Sequence, residues 1–117
     1  MPGYYQLIEA ADGSTSFHLR AGNHEVILSG GVLPTRQAAL DTIEWVRAHG
    51  HDRARFDSLR TAGGGRYFVL RAEDGRVMGR SEVYASSSGV DNGIASVQRN
   101  SPSPTFRGLV RRMSLAA

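Results

Sequence analysis

The chain repeats itself. Displaced by 51 residues, positions 4–49 lie over positions 55–100 without a gap, and ten of the 46 pairs are identical; about three are expected from ordinary composition. The identities are Ala11/Ala62, Gly13/Gly64, Phe17/Phe68, Leu19/Leu70, Arg20/Arg71, Ala21/Ala72, Val26/Val77, Val32/Val83, Ile43/Ile94 and Val46/Val97. Type is kept at Tyr5/Phe56, Ile8/Leu59, Ile27/Met78, Thr35/Ser86 and Asp41/Asn92. Loops of identical length argue for two copies of one unit, because self-similarity at a fixed period marks a repeat architecture. The copies run about 4–53 and about 55–112, within a single domain spanning 1–117.

Each copy reads as three strands and a helix. The first strand (4–10; 55–61) leads into a glycine turn at Asp12-Gly13 or Gly63-Gly64-Gly65, where glycine accepts the positive φ of a tight hairpin. The second strand alternates. Phe17, Leu19 and Ala21 share one face against His18 and Arg20; Phe68, Leu70 and Ala72 share one against Tyr67, Val69 and Arg71. A second turn and a short third strand (25–29; 76–80) follow. Thr35 and Ser86 are then placed to cap helices by accepting free amide protons of the first turn. Leu40, Ile43, Val46 and Arg47 form one helical face, and Val90, Ile94 and Val97 the matching one. Gly50 and Asn100 are expected to end the helices in the left-handed cap conformation. Pro102 and Pro104 follow the second helix, and a last strand is expected over 105–110.

Such a unit does not bury a sheet face and a helix face well alone. Two units related by a pseudo-two-fold do, with strands joined into one antiparallel sheet and both helices on one face. The reading is an α+β fold built as an internal pseudo-dimer that completes its own sheet and is expected to be a monomer. Gly89 and Gly93 inside the second helix each cost about 1 kcal/mol, which implies close approach of that helix to its neighbours.

The second copy carries further resemblance. The strand pair 68–77, the connection Ser81-Glu82-Val83-Tyr84-Ala85-Ser86-Ser87 and the helix Asn92-Gly93-Ile94-Ala95-Ser96-Val97-Gln98-Arg99-Asn100 are similar to the repeat of the YegP-like family, and the resemblance covers essentially the whole chain. The first copy departs from the pattern, with Leu33-Pro34-Thr35 and Asp41-Thr42-Ile43 at the corresponding places. The resemblance implies two β-rich repeats sharing a sheet with exchanged C-terminal strands. It implies no activity, because the family is a domain of unknown function.

Composition narrows the chemistry. The chain has no cysteine, which excludes disulfides, thiolate metal sites and cysteine nucleophiles. No apolar run approaches a membrane span, and the start has no leader pattern, so a soluble cytoplasmic protein is expected. Its net charge is +3, and all 14 basic residues are arginine.

Individual motifs are weak. His49-Gly50-His51-Asp52 offers two imidazoles, but structural zinc wants four ligands, and a helix end with a dipole-favoured histidine accounts for it. His24-Glu25 lacks the second histidine of a zincin helix, Leu28 standing in its place. No metal and no cofactor are assigned. Ser86-Ser87-Ser88-Gly89 suits an anion at a helix start, and capping explains the serines equally. With Tyr84 and Asn92, Ser86 and Ser87 make one candidate site. No nucleophile elbow is present, and an enzyme of unknown class stays the lesser alternative. Arg111-Arg112-Met113-Ser114-Leu115 has the form of a basophilic kinase site, with a frayed tail as the plainer reading.

The remaining candidate is the sheet face turned away from the helices, carrying Arg20, Arg71, His18 and Tyr67. Paired guanidiniums there face either a shared anion or acidic neighbours such as Glu9, Glu25 or Glu73. The expected function is a non-enzymatic binding or interaction module using that face. Nucleic acid is the alternative ligand, with arginines on phosphates and Tyr67 stacking a base.

Overall fold

The computed structural model describes residues 3–113. Three strands, β1 (Tyr4–Ala10), β2 (Thr15–Arg20) and β3 (Val26–Ser29), precede helix α1 (Arg36–His49). A 3-10 turn, Arg53–Arg55, leads into β4 (Phe56–Arg60), β5 (Arg66–Arg71), β6 (Val77–Arg80), helix α2 (Ser87–Asn100) and β7 (Phe106–Arg112). Glycines 13, 64 and 75 take φ near +88 to +89° at the hairpin turns, the conformation that favours glycine there. His24 stands where the second copy has Gly75 and takes φ 72° itself. Thr35 accepts the Ala38 amide and Ser86 the Gly89 amide, each at 3.1 Å.

The seven strands form one sheet in the order β4-β5-β6-β3-β2-β1-β7. Its centre is a pseudo-two-fold axis, marked by equivalent residues that meet one another. Ser29 pairs with Arg80 between β3 and β6. Leu28 fills the space over Gly79, where a Cβ would lie 2.8 Å from Leu28 Cγ. Gly50 abuts Ser101 at the ends of the two helices, where a Cβ would lie 2.5 Å from Ser101 Oγ. Both helices contribute to one core. Ile43 and Val46 from α1 and Val90, Ile94 and Val97 from α2 pack with Tyr5, Phe17, Leu19, Leu28, Phe68 and Leu70.

The helix ends differ from the expected left-handed caps. Gly50 has φ −66° and ψ −8°, and α2 runs through Asn100 to cap on Ser101 in the same right-handed region. Gly50 is required for a different reason: a side chain there would collide with Ser101 and with the Val46 carbonyl oxygen at 2.7 Å.

The sheet is antiparallel except at one edge. β7 pairs with β1 in parallel, as a consequence of the repeat. α1 leads to β4, which lies antiparallel against β5. By symmetry α2 should lead to a strand antiparallel against β2, but β1 already holds that place. β7 keeps the direction of that place and settles one position further out. The C-terminal strand is thus exchanged onto the first repeat.

Candidate functional site

Strand alternation sorts the site. On β2, Phe17 and Leu19 enter the core and are fully buried, so His18 and Arg20 face the other way. The register carries Tyr4 and Gln6 of β1 onto the same outer face opposite Arg20 and His18. It also carries Ser29 opposite His18, Arg80 opposite Ser29 and Val69 opposite Arg80. Tyr67 and Arg71 flank Val69 on β5. Both helices pack on the opposite face.

Arg20 and Arg71 perform the same local task. The Arg20 Nε donates to Gln6 Oε1 at 3.2 Å and its Nη1 to the His24 carbonyl at 2.7 Å. The Arg71 Nε donates to Asp57 Oδ2 at 2.6 Å and its Nη1 to the Gly75 carbonyl at 3.0 Å. Each guanidinium braces its own hairpin turn against the first strand of its repeat. The expected partners Glu9, Glu25 and Glu73 are not the ones used: Glu9 binds Arg36 and Arg111, and Glu73 binds Arg55. The difference between the copies is one of charge. Arg71 is neutralised by Asp57; Arg20 meets a neutral amide.

Three strand spacings, about 14 Å of sheet, separate β2 from β5. One small anion does not bridge Arg20 and Arg71 across that width.

β7 enlarges the face. Arg107 lies over the Tyr4 ring at 5.1 Å, and Arg80 covers the Tyr67 ring at 4.9 Å. Arg112 pairs in register with Ala10, on the same side as Ile8. Arg20, Arg80, Arg107 and Arg112 have no carboxylate partner among the described residues, whereas Arg71 has Asp57. Burial beside this charge pushes the His18 imidazole down to about 4, with Arg20 and Arg112 adding to the effect, and its Nδ1 has no hydrogen-bond partner among the described residues. Arg80, Tyr4 and Gln6 were legible from alternation alone. Arg107 and Arg112 were not, because nothing local says which sheet edge the last strand joins.

The second candidate set divides. Ser86 caps α2 and contacts Ser88 Oγ at 3.1 Å. Tyr84 lies beneath α2 instead, its ring stacked on Phe68 with an interplanar angle of 9°. Gly93 is the reason it fits, since a Cβ there would lie 2.6 Å from the Tyr84 hydroxyl. In the first copy Leu33 and Thr42 replace Tyr84 and Gly93, a smaller residue facing a larger one. Ser87 opens α2 and Asn92 stands exposed on it.

The remaining motifs have structural roles. His49 packs against Trp45 with ring centroids 4.7 Å apart. Asp52 caps the turn before β4 by accepting the Ala54 amide. His24 Nδ1 and the Tyr4 hydroxyl are 2.8 Å apart. Among the described residues no three His, Asp or Glu side chains gather as a metal site, and no serine–histidine or histidine–carboxylate hydrogen bond forms. Ser114 and Leu115 of the kinase-like stretch lie outside the described residues. No helix among the described residues is long and apolar enough to cross a membrane.

Comparison with known proteins places the two copies in a shared lineage. A family model described as a domain of unknown function, DUF1508, matches residues 10–57 and again 62–107. A UPF0339 protein of Bordetella pertussis is 41% identical over 102 residues, covering 87% of this chain and 91% of that protein. One of Mannheimia succiniciproducens is 34% identical over 109 residues, covering 93% and 96%. The solution structure of yegP from E. coli, a protein of unknown function, superposes with TM-score 0.85 at 31% identity, over 92% of this chain and 93% of that one. A UPF0339 protein of Shewanella oneidensis superposes with TM-score 0.84 at 32% identity, over 92% of each chain.

Proposed function

The chain belongs to the DUF1508 family of unknown function, and from that premise we propose that it is a non-enzymatic binding module whose open sheet face takes single-stranded nucleic acid. One observation carries the reading. Arg20, Arg80, Arg107 and Arg112 share a face on which Asp57 is the sole strand carboxylate among the described residues, and Asp57 is occupied by Arg71. Guanidiniums without a carboxylate partner on an open sheet suit a phosphate backbone, which supplies affinity without a deep pocket. Tyr67 is half-buried under Arg80, so a base reaches its ring when Arg80 swings to a phosphate. The excess charge lies on the β2–β1–β7 side, and that side is the anchor.

Fluorescence anisotropy with labelled oligo-dT and oligo-U at low salt tests this. Binding should weaken steeply with salt. The Arg20→Ala/Arg107→Ala/Arg112→Ala variant should lower the slope of log K against log salt by about 0.7 for each phosphate that is no longer neutralised. No binding at low salt, or a triple variant that binds like the parent while remaining folded, would overturn the proposal.

A further inference from the structure

The pseudo-two-fold makes two equivalent grooves, each between the helix of one repeat and the β2–β3 or β5–β6 hairpin of the other. The first encloses about 240 Å³ between α2 and the hairpin carrying Asn23, Glu25 and Ile27. The second encloses about 330 Å³ between α1 and the hairpin carrying Arg76 and Met78. Their linings correspond at the 51-residue shift, and their chemistry has diverged. Glu25 of the first is Arg76 in the second, Ser96 is Trp45, Asn92 is Asp41, and Tyr84 is Leu33.

In the second groove the polar groups are satisfied within the chain. Arg76 binds Asp74 at 2.8 Å, and Asp41 accepts from Gln37 at 2.8 Å. The Thr42 hydroxyl donates to the Ala38 carbonyl at 2.9 Å, and Leu33, Ala38, Trp45 and Met78 complete its walls. In the first groove the corresponding groups stay open. The Glu25 carboxylate has no arginine partner and accepts no hydrogen bond among the described residues, and the Asn92 amide and Tyr84 hydroxyl are likewise without partners there. Of the eleven carboxylates, Glu9, Glu44, Asp52, Asp57, Glu73, Asp74 and Asp91 each hold an arginine, and Asp12 and Asp41 each accept a hydrogen bond; Glu25 and Glu82 do neither among the described residues. The apolar part of the lining is formed by Ala21, Ile27, Gly89 and Gly93.

We infer that the first groove is a second binding site, separate from the arginine face, for a small ligand with a primary ammonium group on a short aliphatic chain. The Glu25 carboxylate receives the ammonium. The Asn92 carbonyl oxygen and the Tyr84 hydroxyl oxygen accept its remaining N–H groups, and the aliphatic part lies over Ile27 and the two glycines. An ammonium has three donors and no acceptor, which matches a groove that offers acceptors. The groove volume of about 240 Å³ leaves room for a ligand of this size. Burial is the leading cause that raises the Tyr84 hydroxyl above its ordinary value, and Glu82 and Glu25 add to it. The hydroxyl thus stays protonated beside the carboxylate.

Titration of the labelled full chain with n-butylamine, followed by amide chemical shifts, tests the inference, with butyrate at matched ionic strength as the probe of opposite charge. Butylamine should give saturable shifts at Glu25, Asn92 and Gly93 with Kd in the millimolar range expected of so small a ligand. Butyrate should not. Glu25→Gln, an exposed substitution, should weaken binding about two- to fivefold, and Tyr84→Phe should weaken it less. Arg76→Ala, in the other groove, should leave it unchanged. Shifts that do not saturate, equal shifts with butyrate, or a Glu25→Gln variant that binds like the parent would each overturn the assignment.

Discussion

Leu28 and Gly79 hold the same position in the two repeats and pack against each other at the centre of the sheet. Leu28 is fully buried, and its side chain occupies the volume that Gly79 leaves. Two identical subunits would have to place the same residue twice on such an axis. A single chain is free to set a large residue against a small one.

The first prediction concerns that pair. Gly79→Ala should lower stability by about 1–3 kcal/mol through overpacking, and Leu28→Ala by about 2–5 kcal/mol through the cavity it leaves. The combined Leu28→Ala/Gly79→Ala variant should cost less than the sum, because each change relieves the other. Urea denaturation of the three variants measures the coupling; strict additivity would mean the two positions do not share one space.

A second prediction comes from the Tyr84–Gly93 fit. Gly93→Thr alone drives a side chain into the Tyr84 hydroxyl and Phe68, and should destabilise by about 1–3 kcal/mol. Adding Tyr84→Leu reproduces the Leu33–Thr42 pair of the first repeat and should recover part of that deficit. A double variant no more stable than Gly93→Thr would count against the compensation.

His24 gives the third. Its left-handed backbone costs about 1–2 kcal/mol in a residue with a Cβ, and the hydrogen bond with the Tyr4 hydroxyl offsets part of that. His24→Gly should raise thermal stability by about 0.5–1 kcal/mol. A lower midpoint would show that the bond to Tyr4 outweighs the strain.

The fourth is a pH effect. His18 titrates near 4 in the folded chain against an ordinary 6.5, chiefly because it is buried. Below pH 6.5 the unfolded chain takes up a proton that the folded chain refuses. The stability His18 provides is therefore complete above about 6.5 and declines as pH falls toward 4. Denaturant midpoints at pH 7 and pH 5 should separate more in the parent than in His18→Gln. Equal separation would assign the acid sensitivity to other groups.

What the sequence made legible follows physical scale. Turns at Gly13 and Gly64 and caps at Thr35 and Ser86 are local requirements of φ or of one hydrogen bond, and they were read directly. The sidedness of Arg20, His18, Arg71 and Tyr67 followed from a period of two. Gly50 misled, because a helix-terminal glycine has two uses. Here it serves close approach to Ser101, 51 residues away, rather than backbone freedom. The arginine face was read only in part, since Arg107 and Arg112 reach it through a strand whose place depends on β1 being there first.

That arrangement has a topological consequence. The end of α2 returns to the start of β1: the Gly3 amide donates to Asn100 Oδ1 at 3.1 Å, the Ser103 hydroxyl donates to the Gly3 carbonyl at 2.6 Å, and the Tyr5 amide donates to the Thr105 carbonyl at 2.9 Å. α2 could pass into β1 there much as α1 passes into β4. The molecule is in effect a closed ring of two units, nicked beside Gly3, with β7 as an overhang beyond the nick. Circular permutants sealed there and reopened at the Gly13 or Gly64 turn should fold without β7, and the strand that brings Arg107 and Arg112 becomes an addition to a ring already complete.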